Sequence, residues 1–213
     1  MPNYPVSNLI SEVRKALDEN AAAATLFTEG IETLPLDDII TQKLPEAARI
    51  IVQKAPRHMV DFYGTFGGPI TWDFNKNYGY IALPANFLRF GVFKMSNWAG
   101  PVALAISDTD PRYFIQSARF EGIRASVYRP LCAITMIEGT KVLQFFGTIR
   151  GDEATIQTGK YEPVPIIDNN TLTISAWLRS PVIYYAAGLT ASTIGQDKAA
   201  QNLLSIANEF ITG

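Results

Sequence analysis

Ser180-Pro181-Val182-Ile183-Tyr184-Tyr185-Ala186-Ala187-Gly188-Leu189-Thr190-Ala191 follows Arg179 and reads as a small, Ala-rich helix. Gly195-Gln196-Asp197 breaks it. Beyond the break, Ala199, Ala200, Leu203, Leu204, Ala207, Phe210 and Ile211 fall on one stripe of a second helix. The span 177–213 is therefore expected to form a helical hairpin.

The opposite end is helical as well. Val6, Leu9, Ile10, Val13, Ala16 and Leu17 recur at helical spacing, with Glu12, Arg14 and Lys15 on the other side. The Ser7 hydroxyl is expected to cap the opening turn by accepting from its backbone N–H groups. Asp18-Glu19-Asn20 ends the pattern; the alanines 21–24 extend the helix or form a short separate turn, and 29–35 reads as a loop. A second helix starts near Asp37 or Asp38 and carries Ile39, Ile40, Leu44, Ala47, Ala48, Ile51, Val52 and Ala55 on its apolar stripe. Pro45 lies inside that stripe, where it removes a donor and crowds the preceding turn. It predicts a kink, or two helices with Pro45 at the first position of the second. Ala55-Pro56 stops the run.

From about Phe62 the texture changes to aromatics, β-branched residues and turn residues, as far as about Ile174. The expected strands cover 70–74, 78–83, 88–95, 102–106, 125–128, 132–137, 141–148 and 171–176. Glu138-Gly139 reads as a hairpin turn, Asn75-Lys76-Asn77 is a candidate for another, and Pro163-Val164-Pro165 is an extended connector. The segment 113–120 is open between strand and short helix. The organisation is one structural unit, 1–213, in three parts: helical 1–62, β 63–176 and the hairpin 177–213. The expected class is α+β, with helices from both chain ends packed together and a largely antiparallel β insert between them.

Composition narrows the function. With 47% apolar and 18% charged residues the chain has ample material for a core. A net charge of −2 gives no electrostatic case for wrapping nucleic acid, although it leaves room for a neutral channel that DNA passes through. The opening Met1-Pro2-Asn3-Tyr4-Pro5 has neither the basic nor the apolar region of a secretory signal, and no apolar run nears the ~20 residues of a membrane span. The expectation is a soluble chain made in the cytoplasm, with no membrane partner.

The reactive residue types do not converge. Cys132 is the one cysteine and sits in the apolar run Leu131-Cys132-Ala133-Ile134, which reads as a buried, inert thiol. His58 is the one histidine, so any triad, Cys–His pair or histidine zinc site must use it; beside Pro56 and Arg57 it reads as a helix-end residue. Asp108-Thr109-Asp110 opens like a calcium loop but lacks the glycine and glutamate that would complete one, and reads as a polar turn. Asp152-Glu153 reads as a turn and Asp37-Asp38 as partners of a helix dipole. Gly64-Thr65-Phe66-Gly67-Gly68 lacks the lysine and hydroxyl of a phosphate loop and reads as a flexible loop or the start of a strand. Catalytic, cofactor and metal residues are accordingly none. Phe87, Phe90, Phe93 and Trp98 form the candidate site: strict alternation puts Phe90 on the face opposite both Phe87 and Phe93. A segment apolar on both faces is either core or a strand that meets another chain.

Four stretches carry a resemblance: Leu44-Pro45-Glu46-Ala47-Ala48-Arg49; Tyr80-Ile81-Ala82-Leu83-Pro84-Ala85-Asn86-Phe87-Leu88-Arg89; an irregular β passage with Arg129-Pro130; and the tyrosine-containing hairpin from Tyr184-Tyr185-Ala186-Ala187 to Ile211. In order and kind they resemble the head-to-tail connector, or adaptor, ring proteins of tailed bacteriophages, within them the tubular-protein-A group of short-tailed phages. Asn86 stands where that group commonly has an acidic residue. The resemblance implies a structural virion protein without an active site. Its copies, often twelve, would form a ring between the portal and further tail or ring proteins and continue the DNA channel without specific recognition of DNA. Such a ring needs heterologous association, one face of a subunit on the opposite face of the next, and a mean hydropathy of +0.07 is compatible with the apolar surface this requires. A small-ligand or carbohydrate-binding module that stacks on Trp72, Tyr78, Tyr80 and Trp98 is the alternative; an enzyme comes last.

Overall fold

Strand β1 (Asn3–Pro5) leads into helix α1 (Val6–Asn20), and α2 (Leu36–Lys54) follows. The strand-rich stretch contains β2 (Gly64–Thr65), β3 (Thr71–Asp73), β4 (Tyr78–Ala82), β5 (Phe87–Met95), β6 (Ile106–Ser107), the short helix α3 (Pro111–Ile115), β7 (Leu131–Ile137), β8 (Thr140–Phe146) and β9 (Ile156–Pro163). Then come β10 (Ile167–Asp168), β11 (Thr171–Thr173), α4 (Arg179–Thr193) and α5 (Asp197–Thr212). The computed structural model describes residues 1–20, 36–73, 78–148 and 154–212. The alanines 21–24, the loop 29–35, the turn 75–77 and the acids 152–153 lie outside the described residues.

The α+β class holds, with helices from both chain ends packed together and a β-rich stretch between them in sequence. The division of the chain differs from the single three-part unit read from the sequence. Two compact units form, Met1–Asp61 with Val164–Gly213, and Phe62–Pro163. The β part thus ends before 176, because β11 pairs with β1 and β10 and belongs to the helical unit.

In the first unit α4 is the central helix. Pro181, Val182, Ile183, Ala186, Ala187, Gly188, Thr190 and Ala191 are all buried, so α4 is covered on more than one side, by α5, α2 and α1. Small side chains let those neighbours approach. The hairpin turn is a Schellman motif: Gly195 takes φ +79°, its N–H donates to Ser192 O, and the Gln196 N–H donates to Ala191 O at 2.8 Å. On α4's other flank Arg179 pairs with Glu12 of α1 and lies 5.2 Å from the Tyr4 ring centroid. Two local expectations are corrected. Helix α1 begins at Val6, whose N–H donates to Asn170 O, so Ser7 is inside the first turn and not the cap. Helix α2 runs unbroken through Pro45, with Leu44, Ala47, Ala48, Ile51 and Val52 buried on either side of it: packing of the apolar stripe outweighs the lost donor. Asp37 and Asp38 do occupy the first turn of α2, and Asp37 accepts from Arg14 Nε at 2.6 Å.

The second unit holds two sheets. One has the order β2-β9-β5; the other has the order β3-β4-β8-β7-β6, antiparallel except for β6 beside β7. The β7–β8 hairpin turns at Glu138-Gly139 as expected, with φ of +49° and +79° at the two residues. Phe66, Ile81, Phe90, Phe93, Met95, Trp98, Cys132, Leu143, Phe145 and Tyr161 form one core that draws on both sheets. The segment 125–128 forms no strand, only a bridge between Ser126 and Arg129, and of 102–106 only Ile106 enters a strand. Strand β9, unmarked in the sequence reading, is the central strand of its sheet.

Candidate functional site

The aromatic candidates on β5 lie inside the second unit. Phe90, Phe93 and Trp98 are buried, Phe93 completely, and Phe87 is half-buried against Phe66 and Tyr161. They share one face, contrary to strict alternation. Phe87, Phe90 and Phe93 pair with Pro163, Tyr161 and Gly159, which alternate regularly along β9. Register shifts between Phe87 and Arg89 and between Phe90 and Val92 each insert one extra residue on β5, and each bulge flips the parity. The result is an aromatic core that takes in Phe90, Phe93 and Trp98, with Phe87 packed at its edge. The stacking surfaces of the ligand-binding alternative fare similarly. Trp98 is buried, Trp72 packs edge-on against Phe145 at 5.5 Å, and Tyr78 packs on Phe146. Tyr80 borders a cleft, with Thr71, Glu138 and Thr140.

The reactive residues stay apart. Cys132 is buried and its thiol is pushed well above its ordinary range by that burial. His58 is exposed in the single turn Arg57–Met59 that follows α2. Among the described residues, no group of three or more His, Cys, Asp or Glu side chains is placed to hold a metal ion. No helix among them is long and apolar enough to cross a membrane.

The unusual surface lies between β6 and β7. Strand parity puts Gly79, Ile81, Leu143, Phe145, Cys132 and Ile134 on the core face of the five-stranded sheet, and Tyr78, Gln144, Phe146, Leu131 and Ala133 on the other. The excursion 108–130 lies on that second face. Tyr113 of α3 donates its hydroxyl to Gln144 Oε1 at 2.9 Å and sets its ring edge-on to Phe146 at 6.0 Å, so Phe146 and Ile106 are buried beneath it. Polar side chains then brace the excursion in place of sheet hydrogen bonds. Arg124 Nε donates to Ala118 O at 2.6 Å, an Arg129 guanidinium nitrogen donates to Gly122 O at 3.1 Å, and the Ala125 N–H donates to Gln116 Oε1 at 2.9 Å.

Its outward side is apolar. Phe114 is 63% exposed, Phe120 75%, Ile123 56% and Tyr128 81%, and Leu104 just ahead of β6 is 70% exposed. Arg112, Arg119, Arg124 and Arg129 stand among them. Scattered exposed apolar residues are ordinary, but this many large ones on one braced segment, interleaved with arginine, have the composition of a protein-binding surface. The sequence does not mark this surface, because the stretch has neither a sustained helical nor a sustained alternating periodicity. The interleaving of Phe114, Phe120 and Tyr128 with Arg119, Arg124 and Arg129 was the available signal.

Asp110 starts the excursion. Its carboxylate caps α3 by accepting from the Arg112 N–H at 2.9 Å, and binds the Arg112 guanidinium at 3.0 and 2.8 Å. The polar-turn reading of Asp108-Thr109-Asp110 is thus what forms. The Arg112 side-chain bonds hold the Asp110 pKa down to about 2, from an ordinary 3.8. A carboxylate depressed in the folded state stabilises above its unfolded pKa, and that contribution is lost as pH falls through the folded value. The stability that the α3 cap contributes is therefore expected to fall between about pH 4 and pH 2, while the carboxylate itself titrates near pH 2. The Asp110 carboxyl carbon followed by NMR checks this; a midpoint near the ordinary value contradicts the cap. Asp110→Asn is expected to keep the cap and lose its acid dependence.

Fold and surface together define an α+β protein of two units, the second of which presents a braced apolar excursion rimmed by arginine. The chain matches no protein-family model, and no curated protein matches it.

Proposed function

We propose that this chain is a structural virion protein, a subunit of a ring between portal and tail that continues the DNA channel and docks the next tail component. The observation that carries the reading is the excursion, with Phe114, Phe120, Ile123 and Tyr128 exposed on a segment tied down by side-chain hydrogen bonds. Bracing matters because a surface already ordered loses little entropy when it docks. The resemblance in element order to connector proteins gives the type of assembly, and heterologous association gives its geometry. In this reading Phe90, Phe93 and Trp98 hold the subunit together, and the excursion makes the contacts. The ligand-binding alternative has less to support it, since Trp98 is buried and Trp72 packs against Phe145.

The test is the mass of the purified chain alone and mixed with a phage portal protein. A ring on the portal is expected, whether or not the free chain is monomeric; no association under any condition sinks the proposal. The double variant Phe120→Ser with Tyr128→Ser is expected to weaken that association on the order of 100-fold, as for loss of two central aromatic contacts. Its melting temperature should stay within about 2 °C of the parent's, because exposed residues contribute little to folding.

A further inference from the structure

We infer that the arginine groove of the excursion is the socket for a second copy of this chain, which enters it through its helical unit. The inference rests on the ring reading above and names the partner at that surface. Arg112, Arg124 and Arg129 stand around a floor that includes Ile115, Ile123 and Leu131, in a groove of about 150 Å³. A guanidinium has five N–H donors. Arg124 and Arg129 donate to the carbonyls of Ala118 and Gly122 and thereby hold their own place in the excursion. Arg112 is already paired with Asp110, so the cationic character of the groove comes from Arg124 and Arg129; with Ile115, Ile123 and Leu131 in the same lining it suits an acidic protein surface that also offers apolar side chains.

The chain itself supplies such a surface. By sequence, the unit made of Met1–Asp61 and Val164–Gly213 has twelve Asp and Glu against eight Lys and Arg, net −4. The unit Phe62–Pro163 has eight against ten, net +2. The near-neutral total thus conceals two units of opposite sign. Head-to-tail association needs two different faces of one chain to be complementary, and opposite net charge on its two units favours that. The acidic unit also exposes Ile166, Trp177 and Phe210, apolar groups that can meet the groove floor. Nucleic acid is disfavoured as the occupant: Asp108, Asp110 and Glu121 lie within the excursion, and Arg112 is committed to Asp110.

The experiment places a photoreactive p-benzoylphenylalanine at position 123 of the full chain, mixes isotope-labelled and unlabelled copies, and assembles them with the portal protein. Cross-links from position 123 are expected to join two different copies and to land in 1–61 or 164–213. Arg124→Glu with Arg129→Glu is expected to lower ring yield at least tenfold, and Arg124→Lys with Arg129→Lys to lower it less. A ring whose cross-links go to the portal, to DNA, or to 62–163 of another copy overturns this inference and leaves the ring reading intact. Failure to form any ring overturns both.

Discussion

Phe93→Ala is expected to destabilise the β-rich unit by about 3–5 kcal/mol, the usual cost of emptying a fully buried phenylalanine site. Phe93 is completely buried, and its ring meets Phe66 at 6.1 Å, Trp98 at 5.7 Å and Phe145 at 5.2 Å between centroids. It is thus the ring through which residues of both sheets meet. The neighbours belong to separate strands and turns, so they cannot close on the vacancy without shifting the sheets. The buried thiol of Cys132 gives a site-specific readout, since a thiol reagent reaches it only when this unit opens. Phe93→Ala should accelerate Cys132 modification by about two to nearly four orders of magnitude where opening precedes reaction, by the same free energy. Phe93→Leu retains most of the volume and should cost less than half as much. Equal Cys132 reactivity in parent and alanine variant would contradict the placement of Phe93 at the centre of this core.

Gly147→Ala is expected to cost about 2–4 kcal/mol and to loosen the excursion, although only one methyl group is added. Gly147 follows β8 with φ +92°, a conformation that L side chains rarely adopt. A Cβ there would stand 2.6 Å from Ser126 O and 2.8 Å from its carbonyl carbon. Those are backbone atoms, so no side-chain rotation relieves the clash. Either the end of β8 or the Ser126–Arg129 bridge must move, and that bridge helps seat Tyr128 and Arg129. Faster amide exchange in 124–130 than in the β7–β8 hairpin is the expected signature. On the ring proposal, ring assembly should weaken in parallel, unlike the effect of a substitution elsewhere on the surface.

What could be read in the sequence follows from physical periodicity. The C-terminal hairpin was legible because α5 has a one-sided stripe and Gly195 a turn conformation that few other residues adopt. The β7–β8 hairpin was legible from Glu138-Gly139 between two apolar runs. Strand β9 was not, since Gln157, Thr158, Gly159, Lys160, Glu162 and Pro163 give it the composition of a loop. Its place is fixed by pairing with β5 and β2, a tertiary constraint that a local window does not contain. The bulges on β5 are non-local in the same sense: an extra residue on one strand is defined only by its partner, so alternation misassigned the faces of Phe87, Phe90 and Phe93. The excursion was hidden for a further reason. Side-chain bonds from Tyr113, Gln116, Arg124 and Arg129 hold it, and these leave no periodic trace in the sequence.

On the ring proposal, the apolar excursion is covered when the chain is in place. An image of the native particle containing this chain, at a resolution that separates side chains, tests it directly. Protein density from neighbouring subunits should lie against Phe114, Phe120, Ile123 and Tyr128 in every copy. Those four side chains facing open solvent in a fully assembled particle would contradict it.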